Sequence, residues 1–112
     1  ERVENLINQS VEEGGKILYG GKREKSVVYP TVMEINHDNI LSKIEIFAPV
    51  LPIIRVKDMD EALNYANDTK YGLHAGVFTN DISKALKLAD NLEYGGVIIN
   101  NSPTFRRDNM PF

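Results

Sequence analysis

The tract Lys43-Ile44-Glu45-Ile46-Phe47-Ala48-Pro49-Val50-Leu51-Pro52-Ile53-Ile54 holds the residues of this chain best suited to chemistry. A single carboxylate, Glu45, stands in an otherwise apolar run and is followed by an aromatic ring and two prolines. An ionised carboxylate in apolar surroundings costs on the order of several kcal/mol unless something pairs with it. Glu45 therefore calls for a cation, backbone amides or the hydroxyls of a ligand. Taken alone, it reads more readily as a charge at a loop-to-strand junction paired with Lys43, with Phe47 as a core side chain, because charged residues at strand starts are common. A second candidate is Thr104-Phe105-Arg106-Arg107-Asp108-Asn109-Met110-Pro111-Phe112, which by itself reads as a charged, solvated loop after a strand.

Other chemistries are poorly represented. His37 and His74 lie far apart, with no Cys and no carboxylate pattern converging on them, so metal-ligand spacing is missing. Gly14-Gly15, Gly20-Gly21 and Gly95-Gly96 lack the strand–Gly-x-Gly-x-x-Gly–helix setting of a phosphate cradle and read as turns and helix stops. No Ser-His-Asp arrangement stands out. A formal charge of -3 among 112 residues argues against a nucleic-acid surface. No apolar run reaches the roughly 18–20 residues of a membrane-spanning helix. The absence of Cys excludes disulfides and thiolate metal sites within these residues and fits a reducing, cytoplasmic compartment. An apolar fraction of 42% is that of an ordinary globular domain.

The elements that must position these residues follow from periodicity. Val3, Leu6, Ile7 and Val11 recur at helical spacing before the stop at Gly14-Gly15. Lys16 to Tyr19 predicts a strand, Gly20 to Lys25 a polar turn, and Val27 to Met33 a return strand that Pro30 biases towards a sheet edge. Asn36-His37-Asp38-Asn39 is a loop capping a helical turn through Ser42. Pro49 to Val56 predicts a strand buried on both faces. Asp58 and Glu61 form a capping-box-like pair before a helix carrying Ala62, Leu63 and Ala66, which ends near Asn67-Asp68-Thr69. Leu73 to Thr79 predicts another strand. Asp81 caps a helix with an inner face of Ile82, Ala85, Leu86, Ala89 and Leu92, and Val97 to Asn100 predicts a final strand. The alternation predicts an α/β fold in one compact unit, with parallel crossovers.

The order of segments resembles the aldehyde dehydrogenase superfamily over essentially the whole chain. Glu45-Ile46-Phe47-Ala48-Pro49-Val50 is similar to its Glu-x-Phe-Gly-Pro-Val segment, with Ala48 where most members carry Gly. Tyr29-Pro30-Thr31-Val32, Ala66-Asn67-Asp68-Thr69-Lys70-Tyr71-Gly72-Leu73, Val77-Phe78-Thr79-Asn80-Asp81, Gly95-Gly96-Val97-Ile98-Ile99-Asn100 and Met110-Pro111-Phe112 follow in the family's order. The resemblance implies that Glu45 holds the nicotinamide ribose of NAD or NADP and that Phe47 lies against the nicotinamide ring. It also implies that Phe105 and Phe112 form apolar walls near the aldehyde. The spacing Arg-x-Asp-x-Met-Pro-Phe, with Arg106 as its Arg, is similar to branches acting on lactaldehyde, succinate semialdehyde or glyceraldehyde 3-phosphate. A planar guanidinium suits such anionic groups because its donors match two oxygens at once.

The expected reading is thus the C-terminal portion, residues 1–112, of an aldehyde dehydrogenase catalytic domain, three-layered with a mostly parallel sheet and a β-hairpin excursion. The Cys nucleophile, the Glu base and the cofactor-binding domain are expected upstream of Glu1, so the chain alone is predicted inactive and holds no catalytic residue or metal. The intact protein is expected to be a cytoplasmic homodimer or homotetramer oxidising a small hydroxylated or anionic aldehyde. The alternative is a binding or structural α/β module without chemistry.

Overall fold

The structure, a computed structural model, describes residues 1–105, 107 and 109. It is a mixed α/β fold whose contacts divide into two compact units, 1–56 and 57–112, where the element pattern led to the expectation of one.

The first unit opens with α1 (Arg2–Glu12). It ends where Gly14 adopts φ 90, with the Gly15 and Gly14 N–H groups bonding back to the carbonyls of Ser10 and Val11 at 2.7 and 2.9 Å. That left-handed stop satisfies carbonyls which the ending helix leaves open, and glycine adopts it without steric cost. Strands β1 (Lys16–Tyr19), β2 (Arg23–Glu24), β3 (Val27–Val28) and β4 (Thr31–Glu34) follow, then the short helix α2 (Ile40–Lys43) and β5 (Val50–Ile53). The sheet order is β1-β4-β5, antiparallel between β1 and β4 and parallel between β4 and β5.

The expected hairpin excursion is present, but its return strand is split. Val27–Val28 pairs with Arg23–Glu24 in a separate small hairpin, and only from Thr31 does the chain pair with β1. Pro30, which has no N–H to give, marks the break. Since Pro30 lies ahead of β4 and not within it, it takes no ladder hydrogen bond from that strand, and β4 stands at the centre of the sheet and not at the expected edge. The core beside it comprises Ile7, Met33, Ile35 and Leu41, with Val3, Leu6, Ile40, Ile46, Val50 and Ile54 packed around them.

Strand β5 departs from the expectation of burial on both faces. Val50 and Pro52 are half-buried while Leu51 is 59% exposed and Ile53 also faces outward. Within its unit β5 pairs with β4 alone among the described residues, and only its alternate side chains reach the core.

The second unit runs α3 (Met59–Asn67), β6 (His74–Val77), α4 (Ile82–Asn91) and β7 (Gly96–Ile99). The Asp58 carboxylate accepts the Glu61 N–H at 2.8 Å, while Glu61 returns to the Lys57 N–H at 2.8 Å. The capping pair expected from sequence is thus present, its return arm reaching one residue further back. Strands β6 and β7 pair in parallel through the α4 crossover, with His74 opposite Gly96 and Val77 opposite Ile99. Asn67 joins the two helices, donating to the Asn91 carbonyl at 2.8 Å and accepting from the Glu93 N–H at 3.0 Å. The Tyr94 hydroxyl donates to the Ala66 carbonyl at 2.8 Å, and burial pushes its pKa up.

The inner face of α4 differs from expectation. Ala85 is buried, with Leu88 and Leu92 half-buried, whereas Ile82 and Leu86 are 72% and 59% exposed and Ala89 faces outward as well. The helix carries two apolar stripes, and it packs through the one at positions 85, 88 and 92. Among the described residues no helix is long and apolar enough to cross a membrane.

Candidate functional site

Glu45 and Phe47 lie on the irregular segment between α2 and β5, in the first unit. The segment starts from a well-anchored point. Asn39 caps α2 by accepting the Leu41 N–H at 3.1 Å, and Glu13 at the end of α1 accepts the Ile40 N–H at 2.6 Å. Beneath them Ser10 and Asn39 form a buried pair: the Ser10 hydroxyl donates to Asn39 Oδ1 at 2.8 Å, and Asn39 Nδ2 donates to the Ser10 carbonyl at 2.9 Å. A satisfied polar pair of this kind fixes one arrangement of the two helices. Beyond α2, exposure alternates, with Ile44 and Ile46 half-buried and Glu45 and Phe47 exposed. Ile46 packs on the core, so its neighbours on either side are turned outward.

Glu45 is therefore not in the apolar surroundings its sequence neighbours suggested. Those neighbours alternate sides, and the carboxylate takes the open one. Phe47 is not a core side chain either: it is 82% exposed, and its backbone has φ 45. A bulky residue in the left-handed region costs about 1–2 kcal/mol, and a large exposed ring recovers none of that by burial. Backbone strain of this kind clusters at ligand clamps and active sites, which makes Phe47 a candidate for one. Ala48 lies outside the left-handed region, so the extra methyl at this position meets no backbone conflict there.

Arg2 completes this cluster, and the sequence reading missed it. Its Nη2 donates to the Ile46 carbonyl at 2.7 Å and approaches the Phe47 carbonyl at 3.4 Å. No local signal reveals such a contact, since the partners are separated by most of the unit's length. The Thr31 N–H donates to the Pro49 carbonyl at 2.8 Å, closing the segment against the central strand. The cluster can offer a carboxylate as a two-fold acceptor for hydroxyls and an open aromatic face for a planar ring.

In the second unit, Phe105 stands exposed on the loop after β7, its N–H bonded to the Ser102 carbonyl at 3.0 Å. The Arg107 guanidinium lies 5.9 Å from the ring centroid, within cation–π range. Arg106 and Phe112, the other two expected substrate-side residues, lie outside the described residues. Among the described residues no group of three His, Cys, Asp or Glu could hold a metal ion.

A sequence profile of the aldehyde dehydrogenase family matches residues 1–112. The chain is 73% identical to the lactaldehyde dehydrogenase of Methanococcus aeolicus over 112 residues, covering all of this chain and 24% of that protein. Among solved structures it is similar to glyceraldehyde-3-phosphate dehydrogenase GapN from Methanocaldococcus jannaschii complexed with NADP, at 56% identity and TM-score 0.92, covering 98% of this chain and 24% of that one. It is also similar to aldehyde dehydrogenase 21 from Physcomitrella patens in complex with succinate, at 39% identity and TM-score 0.88, covering 98% and 23%. The chain thus spans about a quarter of the length of its relatives. With every residue inside the match and the fold shared at this identity, the chain belongs to the aldehyde dehydrogenase family.

Proposed function

We propose that the protein carrying this chain is an NAD(P)-dependent aldehyde dehydrogenase that oxidises a small hydroxylated or anionic aldehyde to its carboxylic acid. Lactaldehyde and glyceraldehyde 3-phosphate are the substrate types named for its relatives. The observation that carries this reading is Phe47, an exposed ring on a left-handed backbone beside an exposed Glu45. Both fit a nicotinamide nucleotide: the carboxylate accepts two ribose hydroxyls, and the ring gives the nicotinamide an apolar face to lie against. Hydride acceptance is the chemistry the bound cofactor supplies.

On the substrate side, Phe105 and Phe112 serve as apolar walls and Arg106 pairs with an anionic group on the aldehyde. Residues 1–112 form the C-terminal portion of the catalytic domain. The nucleophilic Cys belongs to another part of the protein, because these 112 residues contain no Cys, and the family resemblance assigns the Glu base there with it. The chain alone is accordingly inactive. The same reading places the protein in the cytoplasm as a homodimer or homotetramer.

The test is to assay the full-length protein against a panel of short aldehydes with NAD and with NADP, beside its Glu45→Gln variant. The variant should bind cofactor more weakly or transfer hydride more slowly. Kinetics identical to the parent's would remove Glu45 from the site, and an intact protein inert to every aldehyde would favour the non-catalytic module.

A further inference from the structure

Where β7 ends, Asn100 turns the chain with φ 56, a left-handed conformation that asparagine tolerates better than most residues. Its N–H donates to the Val77 carbonyl at 2.7 Å. Its side-chain amide lies against the backbone of Thr79, accepting the Thr79 N–H at 2.9 Å and donating to the Thr79 carbonyl at 2.9 Å. The amide thus acts as one more peptide rung, extending the β6–β7 pairing beyond Val77 and Ile99.

A second contact seats the same loop. A Cβ added at Gly76 would stand 2.9 Å from Pro103 Cδ and 3.2 Å from the Asn101 carbonyl oxygen. The bare glycine of β6 is what lets Pro103 lie so close to the strand. Between these anchors the loop holds itself, with Ser102 Oγ and Thr104 Oγ1 at 2.7 Å and the Phe105 N–H on the Ser102 carbonyl at 3.0 Å. The chain reaching Phe105 is fixed at Gly76 within β6 and at Thr79 just beyond the strand's end.

We propose that Asn100 and Gly76 are positioning residues for the aldehyde side of the site, setting where the Phe105 ring stands. The inference rests on the reading of Phe105 as a substrate wall. The Asn100 amide is exposed, so water takes over its hydrogen bonds when it is removed and stability changes little. The placement of Phe105 has no such substitute, and a displacement of about 1 Å at a positioning contact can cost up to roughly a hundredfold in rate.

The experiment compares the full-length enzyme with its Asn100→Gly, Gly76→Ala and Phe105→Ala variants, using lactaldehyde and its deoxy analogue propionaldehyde. Asn100→Gly keeps the left-handed turn and removes only the amide rung. Gly76→Ala displaces Pro103 by a different route. Both should lower kcat/KM for lactaldehyde by about tenfold and change the lactaldehyde-to-propionaldehyde ratio in the direction Phe105→Ala changes it. Cofactor KM and the thermal midpoint should stay close to the parent's. If Phe105→Ala alters the aldehyde kinetics while Asn100→Gly and Gly76→Ala do not, the positioning role is wrong. Equal losses for aldehyde and cofactor in those two variants would also overturn it, as a general structural effect. If Phe105→Ala itself changes nothing, the substrate-wall reading fails and the positioning role falls with it.

Discussion

Arg2, in the first turn of α1, donates to the carbonyl of Ile46 at 2.7 Å across 44 residues of chain. The contact grips the backbone immediately before Phe47, whose left-handed φ needs something to hold it. Arg2→Ala is expected to weaken binding of the nicotinamide cofactor, NAD or NADP, to the full-length protein by roughly fivefold, the equivalent of about 1 kcal/mol, and to leave the aldehyde KM unchanged. Arg2→Lys should recover part of the loss, since it keeps one donor. Titration calorimetry with the cofactor alone reads this directly, and parent-like affinity in Arg2→Ala would remove Arg2 from the cluster.

The buried Ser10–Asn39 pair governs stability. Ser10→Ala removes one buried hydrogen bond and should cost about 1–2 kcal/mol. Asn39→Ala loses the α2 cap and leaves the buried Ser10 hydroxyl without its acceptor, while the Ser10 carbonyl keeps only the Gly15 N–H, so about 2–4 kcal/mol is expected. Urea midpoints of the two single variants and the double variant check this. The double variant should be less destabilised than the sum, because both changes break the same pair.

Much of the local structure was legible in the sequence. The glycine stop of α1, the Asn39 and Asp81 caps and the Asp58–Glu61 pair depend on side chains within a few residues of each other. The family resemblance names Glu45 and Phe47, whose cofactor role is proposed above. Their setting was not legible. Apolar neighbours in sequence suggested a buried carboxylate, but along an irregular segment they alternate sides, and nothing in composition says which side is open. The left-handed Phe47 breaks the preference of its residue type, so propensity points away from it. Two apolar stripes on α4 fit helical periodicity equally, and only packing selects Ala85 over Ile82. Arg2–Ile46 and Asn100–Thr79 are long-range contacts with no local signature.

The Glu34–Arg55 ion pair makes a pH-dependent contribution. The Arg55 side chain bonds to the Glu34 carboxylate at 3.0 Å and holds its pKa below the usual value of 4.5. A carboxyl with a depressed folded-state pKa contributes stability that is present above the unfolded value and is lost as pH falls through the folded one. Arg55→Ala should therefore lower the thermal midpoint slightly at pH 7, and the difference should vanish in the acid range below 4.5. Both partners are solvent-accessible, so added salt should also shrink the effect. A difference that persists in acid and in high salt would mean that Arg55 acts by packing.

Phe47 supplies the sharpest separation of strain from function. The ring is 82% exposed, so truncating it forfeits little burial. Glycine takes φ 45 without penalty, whereas alanine keeps the clash of its Cβ with the backbone. Phe47→Gly should consequently be more stable than Phe47→Ala by about 1 kcal/mol, in spite of glycine's greater freedom when unfolded. In the full-length protein both variants should bind the nicotinamide cofactor, NAD or NADP, more weakly than the parent and to a similar degree, because both lack the ring. Urea unfolding and cofactor titration of the same three proteins give the two readouts independently. If the alanine variant is as stable as the glycine variant, the backbone at Phe47 is not strained. If either variant binds cofactor as the parent does, the ring serves another purpose.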